Sequence, residues 1–126
     1  MINIAVIQEC TDKKLPFPEV IKHLTEIGIE RYYTDLTKME KIFYAQNGET
    51  YTERLLIDSM PKMGENFNKD KIIETLREIQ RGEIDYSTFI RRIVSFGTVS
   101  YTVYIDGKHV VYVGRKGETY IEHFPF

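Results

Sequence analysis

Gly48-Glu49-Thr50-Tyr51-Thr52-Glu53 and Gly117-Glu118-Thr119-Tyr120-Ile121-Glu122 are one hexapeptide with a single substitution, set 69 residues apart (117 less 48). The same offset carries Gly28 onto Gly97, Tyr32 onto Tyr101, Ile21 onto Ile90, Glu9 onto Glu78 and Ile4 onto Ile73 without a gap. Segments 1–57 and 70–126 therefore read as two copies of one structural unit. The connector, 58–69 (DSMPKMGENFNK), contains Pro61, Gly64 and Asn66, which discourage regular structure. A 57-residue unit is near the lower limit for independent stability. The two copies are thus expected to fold together as a single domain over 1–126.

Each copy opens with two helices. In the second, Ile72, Ile73, Leu76 and Ile79 recur at the spacing of one helical face, with Asn68 as N-cap and Gly82 as stop. The first copy sets Ile4, Ile7 and Cys10 at the equivalent places, with no cap expected at its start. Next, Val20, Ile21, Leu24 and Ile27 form a stripe that starts near Pro18 and stops at Gly28. Its counterpart follows Asp85 and carries Phe89, Ile90, Ile93 and Phe96 up to Gly97.

Three strands complete each unit, near 29–36, 39–46 and 50–57, and again near 98–105, 108–115 and 119–124. Asp106-Gly107 reads as a two-residue hairpin turn, with Thr37-Lys38 a looser equivalent; Asn47-Gly48 and Lys116-Gly117 mark the other turns. Alternation assigns Tyr32, Thr34 and Leu36 to the helix side and Arg31, Tyr33 and Asp35 to the other. By the same rule Val99, Tyr101, Val103 and Ile105 face inward, and Thr98, Ser100, Thr102 and Tyr104 outward. The fold class is α+β: an internally duplicated helix-helix-strand-strand-strand unit with pseudo-twofold symmetry, its antiparallel meander sheets packed on helices.

Composition narrows the functional classes. With 42% apolar and 29% charged residues the chain is neither disordered nor fibrous. A net charge of −2 with interspersed signs argues against long-range attraction to nucleic acid or anionic membranes. No apolar run approaches the roughly 20 residues of a membrane span, and no leader pattern is present. One cysteine fits a reducing compartment, so the expected location is cytoplasmic.

The repeated hexapeptide is the best candidate for chemistry. On a strand Glu49, Tyr51 and Glu53 share a face, as do Glu118, Tyr120 and Glu122. Two carboxylates beside a phenol can hold a cation, orient a hydroxylated ligand or act as an acid/base pair. The structural alternative is preferred: glycine makes the turn, the first glutamate is solvated, and the second pairs with a lysine or arginine. His23 aligns with Arg92, which marks an exposed position. His109 and His123 lie on neighbouring strands without a third ligand at recognisable spacing, so neither a metal nor a cofactor is expected. Cys10 aligns with Ile79 and reads as a core thiol. Arg77, Arg81, Arg91 and Arg92 read as a solvated helical face balanced by Glu74, Glu78 and Glu83.

Nine tyrosines are the unusual component, and most fall in the strands. Tyr33, Tyr104 and Tyr112, with Phe43, are expected to form an aromatic outer surface suited to a protein interface. Strand propensity alone explains the tyrosines equally well.

Four segments, LPFPEVIKHLTEIGIERYYTDL (15–36), FYAQNGETY (43–51), IQRGEIDYSTFIRRI (79–93) and VYVGRKGETYIEHFPF (111–126), together resemble the YbcV-like family. These are small bacterial and prophage proteins, sometimes labelled phage envelope proteins. The resemblance implies a duplicated α/β domain and brings no activity, cofactor or catalytic residue. Three functions follow in order of preference. The first is a non-catalytic binding or protein-interaction module, cytosolic and homodimeric. The second is a small enzyme or ligand-binding protein using the repeated motif. The third, resting on the family label, is a phage-related accessory or virion protein.

Overall fold

The computed structural model describes residues Met1–Phe126. Its elements run α1 (Ile4–Asp12), α2 (Phe17–Glu26), β1 (Ile29–Asp35), β2 (Glu40–Ala45), β3 (Thr50–Arg54), α3 (Lys69–Gln80), α4 (Tyr86–Ser95), β4 (Thr98–Tyr104), β5 (His109–Gly114) and β6 (Thr119–His123). The class is α+β, four helices on one antiparallel sheet. Each strand of the second set begins 69 residues after its counterpart in the first, as Thr119 follows Thr50.

Caps and stops act where backbone groups need them. Asn68 Oδ1 accepts from Lys71 N–H at 3.2 Å, and Asp85 Oδ1 accepts from Thr88 N–H at 2.8 Å. Contrary to expectation α1 is capped too, since Asn3 Oδ1 accepts from Val6 N–H. Gly97 is required twice over. Its φ of +95° lies in the left-handed region, and a Cβ there would sit 2.3 Å from the Asn66 carbonyl oxygen.

The six strands form a single sheet in the order β3-β2-β1-β4-β5-β6. β1 and β4 pair antiparallel at its centre, where Tyr33 faces Thr102, the residue 69 positions on. The local pseudo-dyad passes through that pair. A bulge interrupts the ladder at each equivalent point, Glu30 and Val99. The bulge carbonyls are not lost: Ile105 N–H donates to Glu30 and Leu36 N–H to Val99, both at 3.0 Å.

The helices cover one face. Ile7, Leu24, Ile72, Ile90 and Ile93 are fully buried against Ile29, Tyr32, Phe43, Tyr101, Val103, Val110 and Tyr112 of the sheet. Each such aliphatic side chain contributes about 1.5–3 kcal/mol relative to exposure. Inward placement of Tyr32, Thr34 and Leu36 agrees with the alternation of β1. In β4 the bulge reverses the expected parity at one end: Thr98 is fully buried and Val99 is not.

Two turn expectations are corrected. Asp106-Gly107 is not a two-residue loop: residues 105–108 separate the strands, with Lys108 rather than glycine in the left-handed region at φ 57°. Met39 holds the same role at φ 55°, so the first hairpin has the same form and is no looser. The third strand of the first set also stops at Arg54, after which Leu55 and Ile57 fold onto the core.

The halves interlock through their helices. Phe17, at the start of α2, packs edge-on against Phe124 at 5.3 Å, just beyond β6. Tyr86, at the start of α4, lies under Lys41 Nζ of β2, 4.6 Å from the ring centre. Each half therefore contributes cover to the other half's strands.

Candidate functional site

The two hexapeptides occupy equivalent positions on the edge strands, yet their side chains do different work. Glu122 is 9% exposed. It accepts from Arg77 at 2.6 and 3.3 Å, from Gln80 at 2.9 Å and from the Tyr120 hydroxyl at 2.5 Å. Burial raises its pKa, but the Arg77, Tyr120 and Gln80 hydrogen bonds outweigh that and hold it below the usual carboxylate value. With four donors on two oxygens, Glu122 has no free lone-pair direction for a substrate proton. Its position is that of a structural anchor between α3 and β6.

Glu53 has no such cage. It is half-buried, accepts from Thr11 Oγ1 at 3.0 Å and faces Lys41 across the β2–β3 ladder. The first glutamates serve the turns. Glu49 holds the Met1 amine, Ile2 N–H and the Asn47 amide, and Glu118 accepts from Lys116 N–H at 2.8 Å. The motif is thus brought together within each edge strand but not between them. β3 and β6 lie at opposite margins of the sheet.

Tyr51 and Tyr120 end an aromatic ladder on the helix-covered face. Tyr51, Phe43 and Tyr32 follow one another at 6.3 and 5.2 Å between ring centres, and Tyr101, Tyr112 and Tyr120 at 5.5 and 6.4 Å. Tyr112 and Phe43 therefore lie in the core, not on the expected outer surface; Tyr112 is 4% exposed. The reason is parity: Val110 and Tyr112 alternate inward along β5, leaving His109, Val111 and Val113 outside. Burial pushes the Tyr32 and Tyr112 phenols well above their ordinary values, and that of Tyr101 likewise. These hydroxyls stay protonated at neutral pH and cannot serve there as bases.

The two best-formed clefts, of about 150 and 140 Å³, are shallow, one beside Ile27 and Gly28, the other between Lys71, Glu78 and Arg92. Neither reaches Glu53 or Glu122, and both are smaller than the roughly 300 Å³ that a small-molecule site needs. No three His, Cys, Asp or Glu side chains converge as metal ligands. Each arginine of the helical cluster has an acid partner: Arg77 with Glu122, Arg81 with Glu83, Arg91 with Asp58 and Arg92 with Glu78. Cys10 is buried, and that burial raises its pKa.

The remaining large surface is the face of the sheet opposite the helices. Strand register resolves it into three parallel rows that cross all six strands. The middle row is Thr52–Ile42–Tyr33–Thr102–Val111–Ile121, centred on the pseudo-dyad and free of charge. On one side runs Thr50–Tyr44–Arg31–Tyr104–His109–His123. Two groups of contacts lie in this row: Arg31 Cζ is 4.3 Å from the Tyr44 ring centre, and the Tyr104 ring stacks 5.2 Å from His109, which lies tilted 5.9 Å from His123. On the other side runs Arg54–Glu40–Asp35–Ser100–Val113–Thr119. Tyr33, Ile42, Tyr44, Val111 and Val113 stand outside the apolar cluster beneath the helices, and Ile121 is 49% exposed.

Comparison with known proteins is informative at the level of family. A family model described as "Protein of unknown function (DUF1398)" matches residues 5–123, from the first helix to the last strand. The chain belongs to the DUF1398 family. Uncharacterised proteins of Mycobacterium bovis and Mycobacterium tuberculosis are each 23% identical to it over 109 residues. That is 86% of this chain and 66% of each relative, so the chain spans about two thirds of the length of the curated relatives it matches. No helix of this DUF1398 chain is long and apolar enough to cross a membrane.

Arg31, Tyr44, His109 and His123 were not singled out together by sequence reasoning, although Tyr33 and Tyr104 were. Each is ordinary in its own strand. The signal lies in their register, which exists only once β1 is known to pair with β4.

Proposed function

We propose that this DUF1398 chain is a non-catalytic protein-interaction module whose open sheet face is the binding surface. The observation that carries this reading is the uncharged middle row on a face without a covering layer, with Ile42, Tyr33, Thr102 and Val111 half-buried and Ile121 exposed. Contiguous apolar surface rimmed by polar groups is the usual mark of a protein contact. The YbcV-like affiliation belongs to this reading as a bacterial or prophage setting and adds no chemistry.

The test is native mass spectrometry of untagged protein from its own host, beside an Ile42→Lys, Val111→Lys variant. The expected result is a protein complex that the variant loses while its circular dichroism stays native. An association indifferent to both lysines would refute the reading. One observation favours a ligand-binding alternative: Glu53 is half-buried with no ion-pair partner within 4 Å, opposite Lys41. A stoichiometric small-molecule adduct lost on Glu53→Gln would support that alternative.

A further inference from the structure

We infer that the occupant of the open face is a second copy of this chain, related by a twofold axis lying along the middle row. The inference rests on the interaction-module reading above and adds the partner and its orientation. A face-to-face pair of sheets has its twofold axis in the plane between them, and in the aligned packing of two sheets that axis lies near the rows or near the strands. The three rows decide between them.

With the axis along the rows, every middle-row residue meets its own copy. Such a row must carry no charge, because a charge there would face itself. Thr52, Ile42, Tyr33, Thr102, Val111 and Ile121 meet that condition. Each outer row then covers the opposite outer row of the partner. Arg31 comes over Asp35 of the second copy, Tyr44 over Glu40, Tyr104 over Ser100, His109 over Val113 and His123 over Thr119. On the β4–β6 half large side chains meet small ones, at the centre a cation meets a carboxylate, and on the β2–β3 half Tyr44 meets Glu40 and Thr50 meets Arg54. With the axis along the strands, Arg31 would instead meet Tyr104 and Tyr44 would meet His109, bulk against bulk, while Asp35 would meet Ser100. The rotation of about 30° between packed sheets preserves the match best near the centre, at Arg31–Asp35 and Tyr104–Ser100.

Arg31 is suited to a second acceptor. Glu30 engages one terminal nitrogen of its guanidinium and Tyr44 supports its face, which leaves the other donors of the five-proton fork without a partner in the chain. Six strands about 4.8 Å apart with five residues at 3.3 Å present a footprint of roughly 25 by 17 Å. Two such faces total about 850 Å² in flat projection, close to the roughly 1,000 Å² at which specific interfaces begin, so the pair is expected to be a weak dimer.

The first test is the association state of wild-type protein between about 1 and 100 µM, followed by a double-mutant cycle on Arg31→Gln and Asp35→Asn. Asn keeps the turn that Asp35 Oδ1 caps by accepting from Thr37 and Lys38 N–H at 2.9 and 3.0 Å. Within one chain these residues stand four positions apart on a strand, about 13 Å. Energetic coupling in dimerisation therefore reports a contact between copies. Each single change is expected to weaken the dimer about fivefold, and the double change no further than either. Additive losses overturn the orientation.

A swap of Arg31→Asp with Asp35→Arg reads the axis independently. The swapped protein is expected to form its own dimer and, mixed with isotope-labelled wild type, to give hybrids at less than about a tenth of the statistical share. Hybrids at or above that share would mean like rows face each other. Wild type that is monomeric at about 100 µM refutes the second copy as occupant. A dimer that survives Ile42→Lys with Val111→Lys refutes the face itself, which separates failure of this inference from failure of the reading beneath it.

Discussion

Glu122 and Glu53 are the same residue of one motif, and their partners separate them. The Arg77 guanidinium, the Gln80 amide and the Tyr120 phenol close around Glu122, whereas the positions equivalent to Arg77 and Gln80 hold Gln8 and Thr11. A carboxylate with a lowered pKa binds fewer protons folded than unfolded, so its contribution is complete above the ordinary value of about 4.3 and fades as pH falls through the folded value. Glu122→Gln should therefore cost about 1–3 kcal/mol at pH 7, with the half-exposed Arg77 limiting the loss by turning to water. Denaturant melts from pH 7 to 2 should show mutant and wild type converging below about pH 4. A gap of constant size would mean that the carboxylate's charge is not what stabilises the contact.

The strands derive their two faces from alternation, and that is where the tyrosines divide. Tyr32, Tyr101, Tyr112 and Tyr120 fall on the helix side, Tyr33, Tyr44 and Tyr104 on the open side. Tyr112→Ser is expected to cost about 3–5 kcal/mol, since it removes a buried ring stacked between Tyr101 and Tyr120. Tyr104 is 37% exposed, and Tyr104→Ser should leave folding within about 1 kcal/mol of wild type. Thermal melts of the pair check this. Similar losses at both positions would contradict the assignment of faces. For the same reason Tyr112→Ser is a poor probe of association, and the open face is better tested at Ile42 and Val111.

At the scale of the molecule, the central pairing of β1 with β4 makes each half the other's neighbour. Separated, either half would expose the edge of its first strand and lose the aromatic cover that crosses the pseudo-dyad, Phe17 on Phe124 in one direction and Tyr86 beneath Lys41 in the other. We propose on these grounds that 1–126 is a single cooperative domain. Segments 1–57 and 70–126 are each expected to be unfolded alone by circular dichroism, and to gain native signal only when mixed. A cooperative melt from either half alone would contradict the proposal.

The sequence by itself determined the order of the ten elements, the cap at Asn68, the stops at Gly28 and Gly97, and the inward side of β1. These are local properties, set by side-chain periodicity and backbone freedom within a few residues. Identity at a fixed offset of 69 residues is likewise visible without a structure. Only the tertiary structure decided that the two strand sets join through β1 and β4 into one sheet, since the same local pattern is equally compatible with two separate sheets. The bulge that turns Thr98 inward depends on the partner strand, as does the parity that buries Tyr112. The Arg77–Glu122 contact joins residues 45 positions apart. The three rows of the open face arise from pairing five strand boundaries at once, and no single strand contains the information that places Arg31 beside Tyr104.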